Sequence, residues 1–592
     1  MDKGIAKNRA LLDNLFTLFV CLIKKIPVFI CGKAGCSKSL SFSLLYDAMK
    51  GEYSESKLFK KYPSLYVNSY QGSLTSSSSE IKTIFERAKK VNEKQKDSKK
   101  NLSVILFDEM GLAEISPLNP LKVIHSELDG KQEISFVGIS NWTLDASKMN
   151  RAIHLSVQEP TLEDLIYTAS IIAKDIYEEI EKIENYKKLI ENLTKSYFDY
   201  KIYFKKLYDE YYDFHGARDF YNLIKITARE MKDNISQKSL EKIAMESIER
   251  KFGGLELTRE DKNYPHYPST KKFKEIFSKN QNNYIEDINK YDVFSCIRNN
   301  LENDYNRYLL LITNKTKNET LIEFILKKFN KSYTLIQGSK LKEDQNEDYV
   351  LDKTWSIISF MENGEIIILK DMEIIYPKFY DLFNQNFQKF GDSQYARIVL
   401  DSTTNERHIV NKNFRCIVLL EKSEVDEQDP PFLNRFEKHL MSFEYLLTER
   451  QNYLAKEICK EIKDLTSIQE NKDILPFLVN INIEEIRCLI LKLASNNEDD
   501  LENHINEIYG LLIPTFTQEN ILNSIFSQQK KYIKRDELIQ IYQKNSHTNI
   551  FKFLENVKSN KLMVYTFSPY YKDIFKDSKI KEINNEKYGI IV

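Results

Sequence analysis

The 592-residue sequence predicts an α/β protein of two tandem modules, each a parallel-sheet domain followed by a helical block. Three observations carry this. Ile26–Leu40, IPVFICGKAGCSKSL, reads as a buried strand, a glycine-bearing turn and an amphipathic helix opened by Lys38-Ser39. Ser103–Glu109, SVILFDE, sets an apolar run before two carboxylates, as a strand buried on both faces of a parallel sheet does. YLLLIT (Tyr308–Thr313) and IIILKDME (Ile366–Glu373) repeat those two strands in the second half.

The bulk composition excludes several classes. Apolar residues at 42% suffice for cores, and 29% charged residues suit a soluble chain. Lysine plus arginine number 86 against 87 acidic residues, so neither a basic nucleic-acid stripe nor an acidic solvating arm is expected. The 35 tyrosines and 34 phenylalanines sit mostly in apolar periodic segments and read as core, not as base-stacking platforms. The seven cysteines are scattered and form no C-x-x-C pair. Zinc-ribbon and RING spacing is therefore missing, and a reducing, cytoplasmic setting is expected. Leu15–Ile23 is too short to span a bilayer, and Asp2 and Asp13 argue against a secretory leader. No transmembrane segment is expected.

In the first module the elements run in a telling order. Gly32, Gly35 and Ser37-Lys38-Ser39 suit a phosphate-binding loop, although Ser37 stands where the general G-x-x-x-x-G-K-[ST] pattern has glycine. Backbone N–H groups there would face phosphates, Lys38 would reach the β/γ-phosphates, and the Ser39 hydroxyl would ligate Mg²⁺. Helix Ser39–Met49, strand Leu65–Asn68 and helix Glu80–Val91 follow, then a charged stretch, Lys89–Lys100, that reads as a solvated turn. At the end of SVILFDE, Asp108 would hold the Mg²⁺ shell and Glu109 would polarise the attacking water. Strand Glu133–Asn141 delivers Asn141, an amide for the water or γ-phosphate. Arg151, after a short helix, reads as an arginine finger or as a surface ion-pair partner. Helices then run from Thr161 to Phe252, opened by the capping box Thr161-Leu-Glu-Asp, with apolar spacing at Ile166, Ile171, Ile172 and Ile176. Gly216-Ala217-Arg218 opens one of them, where Arg218 could contact the γ-phosphate. Walker A, Walker B, sensor 1, finger and sensor 2 in this order match an AAA+ ATPase module using ATP and Mg²⁺.

The second module departs from that pattern. After YLLLIT comes Asn314-Lys-Thr-Lys-Asn-Glu, with no glycine to let successive N–H groups wrap a phosphate. Asp371 and Glu373 are spaced D-x-E and would share a face if the strand continued. The module therefore reads as degenerate. Following strand Arg415–Leu420, DPPFLNRFEK (Asp429–Lys438) places Arg435 at the finger position, either completing the site of Lys38 and Glu109 or forming an ion pair with Glu437 or a helix end. Expected boundaries are 1–160 and 161–255 for the first sheet domain and lid, 256–300 for a linker containing a Tyr-Pro turn, 301–445 and 446–555 for the second pair, and 556–592 for the start of a further, truncated module. Tyr588–Val592 would lie inside a strand, which points to a fragment or a truncated paralogue.

The wording of GKAGCSKSLS, FDEMGLAEISPLNPLKVIHSELD and VGISNWTLDASKMNRAIHL is similar to the mysterin-type giant RING-finger E3 ubiquitin ligases, whose AAA+ core is dynein-like. EIIYPKFYDLFNQNF (Glu373–Phe387) resembles their text as well. The resemblance implies a phosphate loop with serine before the lysine, in agreement with Ser37, and modules without catalysis beside active ones. It also implies a ring in which Arg435 serves the site of the first module and Arg151 serves a preceding one. Expected partners are neighbouring AAA+ modules or subunits and, by family, ubiquitin-pathway proteins; the ligase machinery of that family lies outside its AAA+ core. The expected activity is Mg-ATP hydrolysis at the first module. The alternatives are a non-hydrolysing, ATP-binding scaffold and an inactive paralogue.

Overall fold

The computed structural model describes residues 4–74, 76–94, 100–234, 236–257, 267–281, 291–313, 318–341, 346–400, 405–465 and 483–493. They belong to two compact units, Met1–Ser442 and Phe443–Val592, and both large sheets lie in the first.

The first module begins with α1 (Arg9–Lys24), capped by the Asn8 side chain, which accepts from the Leu11 N–H at 3.0 Å. Next come β1 (Val28–Cys31), α2 (Lys38–Ala48), β2 (Ser64–Gln71), α3 (Ser78–Lys94), β3 (Asn101–Asp108), β4 (Ser135–Ser140) and β5 (Ile153–Ser156). The sheet order is β2-β3-β4-β1-β5, parallel throughout. Period-two alternation divides β1 between two cores. Val28 and Ile30 pack with Leu18 and Leu22 of α1 and Phe42 and Leu45 of α2. Phe29 and Cys31 pack with Ile81, Ile84 and Phe85 of α3 on the other face. Helix α3 extends through Lys94, so the first turns of the charged stretch expected as a loop are helical. The edge strand β5 was not expected from the sequence; its exposed, short pattern carries no buried run.

The lid is α4 (Leu162–Ile176), α5 (Glu184–Leu207), α6 (Ala217–Asn234) and α7 (Leu240–Lys251). The capping box forms, with Thr161 Oγ1 and the Asp164 carboxylate exchanging bonds with each other's backbone N–H. The buried stripe of α4 is Leu165, Thr168, Ala169 and Ala173, and the expected isoleucines lie only half-buried beside it. Small residues win that face because α5 and α6 pack closely against it. Within the expected linker 256–300 lie two helices: α8 (Ser269–Gln281), packed on α5, and α9 (Val293–Glu302), which leads into the second sheet. Tyr264–His266 of the expected Tyr-Pro turn lie outside the described residues.

The second module repeats the first. Strands β6 (Leu309–Thr313), β7 (Thr334–Gln337) and β8 (Ile366–Lys370), with α10 (Asn318–Lys328) and α11 (Glu347–Asn363) between them, lead to the short helix α12 (Tyr380–Phe383). A small antiparallel sheet not foreseen from the sequence follows: β9 (Gln388–Phe390), β10 (Ser393–Val399) and β11 (Asn405–Val410). Strands β12 (Arg415–Glu421) and β13 (Glu437–Met441) complete a parallel sheet ordered β13-β6-β12-β8-β7, the order of the first sheet read from its other edge.

Buried charge joins the first lid to this second sheet. Asp219 of α6 accepts from Arg307 Nη2 at 2.6 Å and from Lys438 Nζ at 3.0 Å, all with side chains no more than 8% exposed. Glu437 of β13 is ion-paired with Lys251 of α7, with Arg250 at 3.7 Å and His439 at 3.3 Å. Burial raises the carboxyl of Glu437, but Lys251 and Arg250 outweigh it and hold the group far below the usual range. A buried carboxylate that loses its cation is destabilising, so Lys251→Met should lower unfolding free energy by about 3 kcal/mol. That is the lower end of the usual penalty, because Arg250 and His439 remain. Denaturant unfolding of the variant checks this, and a change under about 0.5 kcal/mol would contradict the ionic account.

The second unit contributes helices Phe443–Leu446, Glu449–Leu465 and Ile483–Leu493; the last two pack together, and Leu454, Ala455, Ile458, Ile486 and Ile490 on them are buried. Most of the expected second lid and all of 556–592 lie outside the described residues. Among the described residues no helix is long and apolar enough to cross a membrane.

Candidate active site

The loop between β1 and α2 is shaped by contacts that only glycines permit. A Cβ on Gly32 would sit 2.9 Å from the Val157 carbonyl oxygen, and one on Gly35, at φ +90°, would sit 2.9 Å from Ala217 Cβ. The loop therefore rests directly on the start of α6, which carries Arg218. Ser37 lies at φ 60°, the left-handed region, so the conformation usual for glycine is kept by a serine. Holding a side chain there costs about 1 kcal/mol.

Lys38 is buried, and its Nζ donates to the carbonyls of Gly32 at 2.5 Å and Lys33 at 2.7 Å and to Asn141 Oδ1 at 3.1 Å. Burial pushes its ammonium down to about 8. An anion at the loop would reverse that penalty. Asn141 passes the network on, its Nδ2 donating to Glu109 Oε2 at 2.6 Å. The other oxygen of Glu109 accepts from Arg435 Nη2 at 2.6 Å. Lys38, Asn141, Glu109 and Arg435 thus form one chain, of which the last member belongs to the second module.

Glu109 follows β3 in the left-handed region at φ 50°, which turns its carboxylate toward this network. Asp108 Oδ1 accepts from the Glu109 N–H at 2.9 Å. Burial, then the neighbouring charge of Glu109, raises Asp108 to about 6, so a cation beside it would be needed to keep it ionised well below neutral pH. Ser39 is exposed in the first turn of α2. Arg218 donates from Nη1 to Asn384 Oδ1, across the module boundary, at 2.9 Å. Burial, then the charge of Arg435, lowers its guanidinium to about 10. Arg435 is only 1% exposed and lies 3.5 Å over the Tyr380 ring. Its Nε and Nη1 are buried without a hydrogen-bond partner among the described residues.

Arg151 occupies the corresponding place in the first module. Each arginine stands two residues before the strand that pairs with the loop strand, Val28 with Ile153 and Leu309 with Glu437. Arg151 is exposed on its own module, with Nη1 2.6 Å from His125 Nδ1 and Nε 3.9 Å from Asp129. It takes no part in the network around Lys38.

In the second module the counterpart of the Asp108-Glu109 pair is displaced from its sequence reading. The Gly338 N–H donates to the Lys370 carbonyl at 2.8 Å, as the Gly72 N–H does to the Asp108 carbonyl at 2.8 Å. Asp371, at φ 55°, matches Glu109, and Lys370 stands where Asp108 does. The strand ends at Lys370, so Asp371 and Glu373 do not share a strand face. Asp371 is ion-paired with Lys340 at 3.1 Å, and Lys340 also pairs with Glu424. Asn314–Lys317 lie outside the described residues.

Beside the first loop opens a cavity of about 460 Å³, bordered by Lys33, Ala34 and Cys36, by Leu165, Tyr197 and Phe198 of the lid, and by Pro430 and Asn434 of the second module. At its rim Lys33 bridges Glu159 at 2.7 Å and Asp213 at 3.0 Å.

Residues 4–164 and 298–447 each match a family model described as an RNF213 AAA domain. The chain is 31% identical over 482 residues to E3 ubiquitin-protein ligase rnf213-beta of Danio rerio, and 30% identical over 493 residues to E3 ubiquitin-protein ligase RNF213 of Homo sapiens. Each alignment covers 79% of this chain and 9% of the relative. Against E3 ubiquitin-protein ligase RNF213 of Mus musculus the identity is 27% over 584 residues, 93% of this chain and 11% of that protein.

This chain is an RNF213-type AAA segment.

Its two AAA modules are the two parallel sheets described above, and the mysterin-type resemblance carried by the phosphate-loop and strand wording agrees with that family. The chain spans between 9% and 11% of the length of these relatives. The RNF213-type fold brings Lys38, Asp108, Glu109, Asn141, Arg218 and Arg435 around one loop and leaves Arg151 outside. Sequence reading missed Tyr380 and Asn384. They fall inside EIIYPKFYDLFNQNF, a stretch notable for its family wording, but no spacing rule ties them to a site in the other module.

Proposed function

We propose that the first module binds and hydrolyses Mg-ATP, and that the second module supplies a trans-acting arginine in place of a site of its own. The observation that carries this reading is Arg435, buried against Glu109 at 2.6 Å with two donors that have no partner among the described residues. The loop N–H groups with Lys38 would hold the phosphates, and Ser39 and Asp108 the Mg²⁺. When bound, the metal would neutralise charge on the phosphate oxygens. Glu109 would accept a proton from the attacking water, Asn141 would orient that water, and Arg218 and Arg435 would face the γ-phosphate oxygens. Lysine at position 370 supports degeneracy of the second module, since a cation there repels Mg²⁺.

The relatives are named E3 ubiquitin-protein ligases, and this chain would supply ATPase modules to such an assembly, flanked by neighbouring AAA modules and working in the cytoplasm. Phosphate release by the purified chain tests the reading. Mg²⁺-dependent turnover is expected, with loss of nucleotide binding by at least about tenfold in Lys38→Ala, the size of one charge-assisted hydrogen-bond set. ATP binding without turnover would instead establish the scaffold reading.

A further inference from the structure

Three arginines around the first site are held by one turn of the second module. Helix α12 and its C-cap carry Tyr380, Asp381 and Asn384. The Asn384 N–H donates to the Tyr380 carbonyl at 2.9 Å, closing a helical turn that puts residues 380 and 384 on one face. From that face the Tyr380 ring lies under the Arg435 guanidinium, 3.5 Å from Cζ to the ring centroid, and Asn384 Oδ1 takes Nη1 of Arg218 at 2.9 Å. Asp381 holds Arg397 Nε at 2.6 Å, and the positive charge of Arg397 acts on Asp108. The turn is fixed from beneath by Phe379, Leu382 and Phe383, all fully buried, and by Gln385 Nε2 donating to the Asn306 carbonyl at 2.7 Å.

We propose that Tyr380 and Asn384 are trans-acting positioning residues for the first nucleotide site: Asn384 fixes sensor Arg218 by one Nη, and Tyr380 fixes finger Arg435 by its face. Each grip leaves part of the guanidinium edge available. A planar guanidinium presents five N–H donors, so one can be spent on orientation while others meet an anion. The inference rests on the first loop being a nucleotide site. It adds that the degenerate module sets the geometry of the γ-phosphate contacts from both sides of the interface, through a segment that itself binds no nucleotide.

Asn384 is exposed, so replacing it spares the core. Asn384→Leu removes the acceptor, whereas Asn384→Asp keeps one. With the full chain and fluorescent nucleotides, Asn384→Leu should lower kcat about tenfold, the size of one hydrogen bond to a charged group, and leave ADP affinity within about twofold. Asn384→Asp should return kcat to within about threefold of wild type. A second readout is the ratio of affinities for a non-hydrolysable ATP analogue and ADP, which Asn384→Leu should lower because only the analogue carries the γ-phosphate that Arg218 meets. Unchanged kcat and ratio in Asn384→Leu would overturn the proposal, as would an Asp variant as defective as the Leu variant. If wild type binds nucleotide without turnover, the hydrolytic reading fails and the affinity ratio still decides the role of Asn384. If wild type binds neither nucleotide, both readings fall. Tyr380→Phe should match wild type, and Tyr380→Leu should lower kcat without changing ADP affinity; equal rates in the two would remove Tyr380 from the proposal.

Discussion

Arg435→Ala is expected to cut phosphate release by about a thousandfold or more while leaving ADP affinity within a few-fold, the range found when arginine fingers are removed. The residue lies far along the chain from the loop it serves: 326 positions separate it from Glu109. Two effects combine in the loss. Nη1 and Nε, without a partner among the described residues, would be the donors available to charge developing on the transferring group. Nη2 also holds one oxygen of Glu109, so its removal leaves that carboxylate held by Asn141 among the described residues. Arg435→Lys should rescue little, because an ammonium can neither stack on Tyr380 as a plane nor bond Glu109 while presenting a second fixed donor. Single-turnover phosphate release with matched ADP binding checks this. A variant that retains turnover within tenfold of wild type would assign Arg435 to structure alone.

Glu109→Gln should abolish turnover by a factor of about 10² to 10⁴, the usual weight of a general base, without weakening nucleotide binding. The amide keeps the size of the carboxylate, so the left-handed turn after β3 and the packing behind it stay as they are. What changes is proton affinity, together with one of two contacts: the amide has a single oxygen, and either Arg435 or Asn141 loses its acceptor. ATP should therefore accumulate on the variant. Equal phosphate release by Glu109→Gln and wild type would remove Glu109 from the chemistry and with it the proposed hydrolysis.

The parallel sheets were legible because buried strands betray themselves locally. VFIC, SVILFD and SFVGIS are near-continuous apolar runs, and the repetition of that order after Tyr308 signalled a second module. The strand, loop and helix around Lys38 were legible despite Ser37, since strand, glycines and Lys38-Ser39 lie within one short stretch. The edge strand Ile153–Ser156 was not, because an exposed, short strand has no buried run to announce it. Nor was the small antiparallel sheet, because β9 is exposed throughout and β10 buries only Ala396 and Ile398, too little for an apolar run. The isoleucines of α4 suggested the wrong stripe: hydrophobicity marked them, but close helix packing chose Ala169 and Ala173. The D-x-E reading of the second module assumed that the strand ran on, whereas the backbone leaves it at Lys370.

Arg151 and Arg435 show where the boundary lies. Their surroundings in sequence, KMNR and LNRF, offered both the same role, and by strand register they stand in the same place. One is exposed and bound to its own module; the other is buried in its neighbour's site. The sequence by itself determined the two-module α/β architecture and the strand–loop–helix that carries Lys38, because apolar periodicity and glycine-bearing turns are written in contiguous residues. The tertiary structure alone decided which arginine reaches Glu109, that Lys370 replaces Asp108 in the second module, and that Asn384 holds Arg218. Those contacts depend on how the surfaces of the two modules meet within one compact unit. Charge and shape at such a surface are set by residues hundreds of positions apart, which no local pattern links.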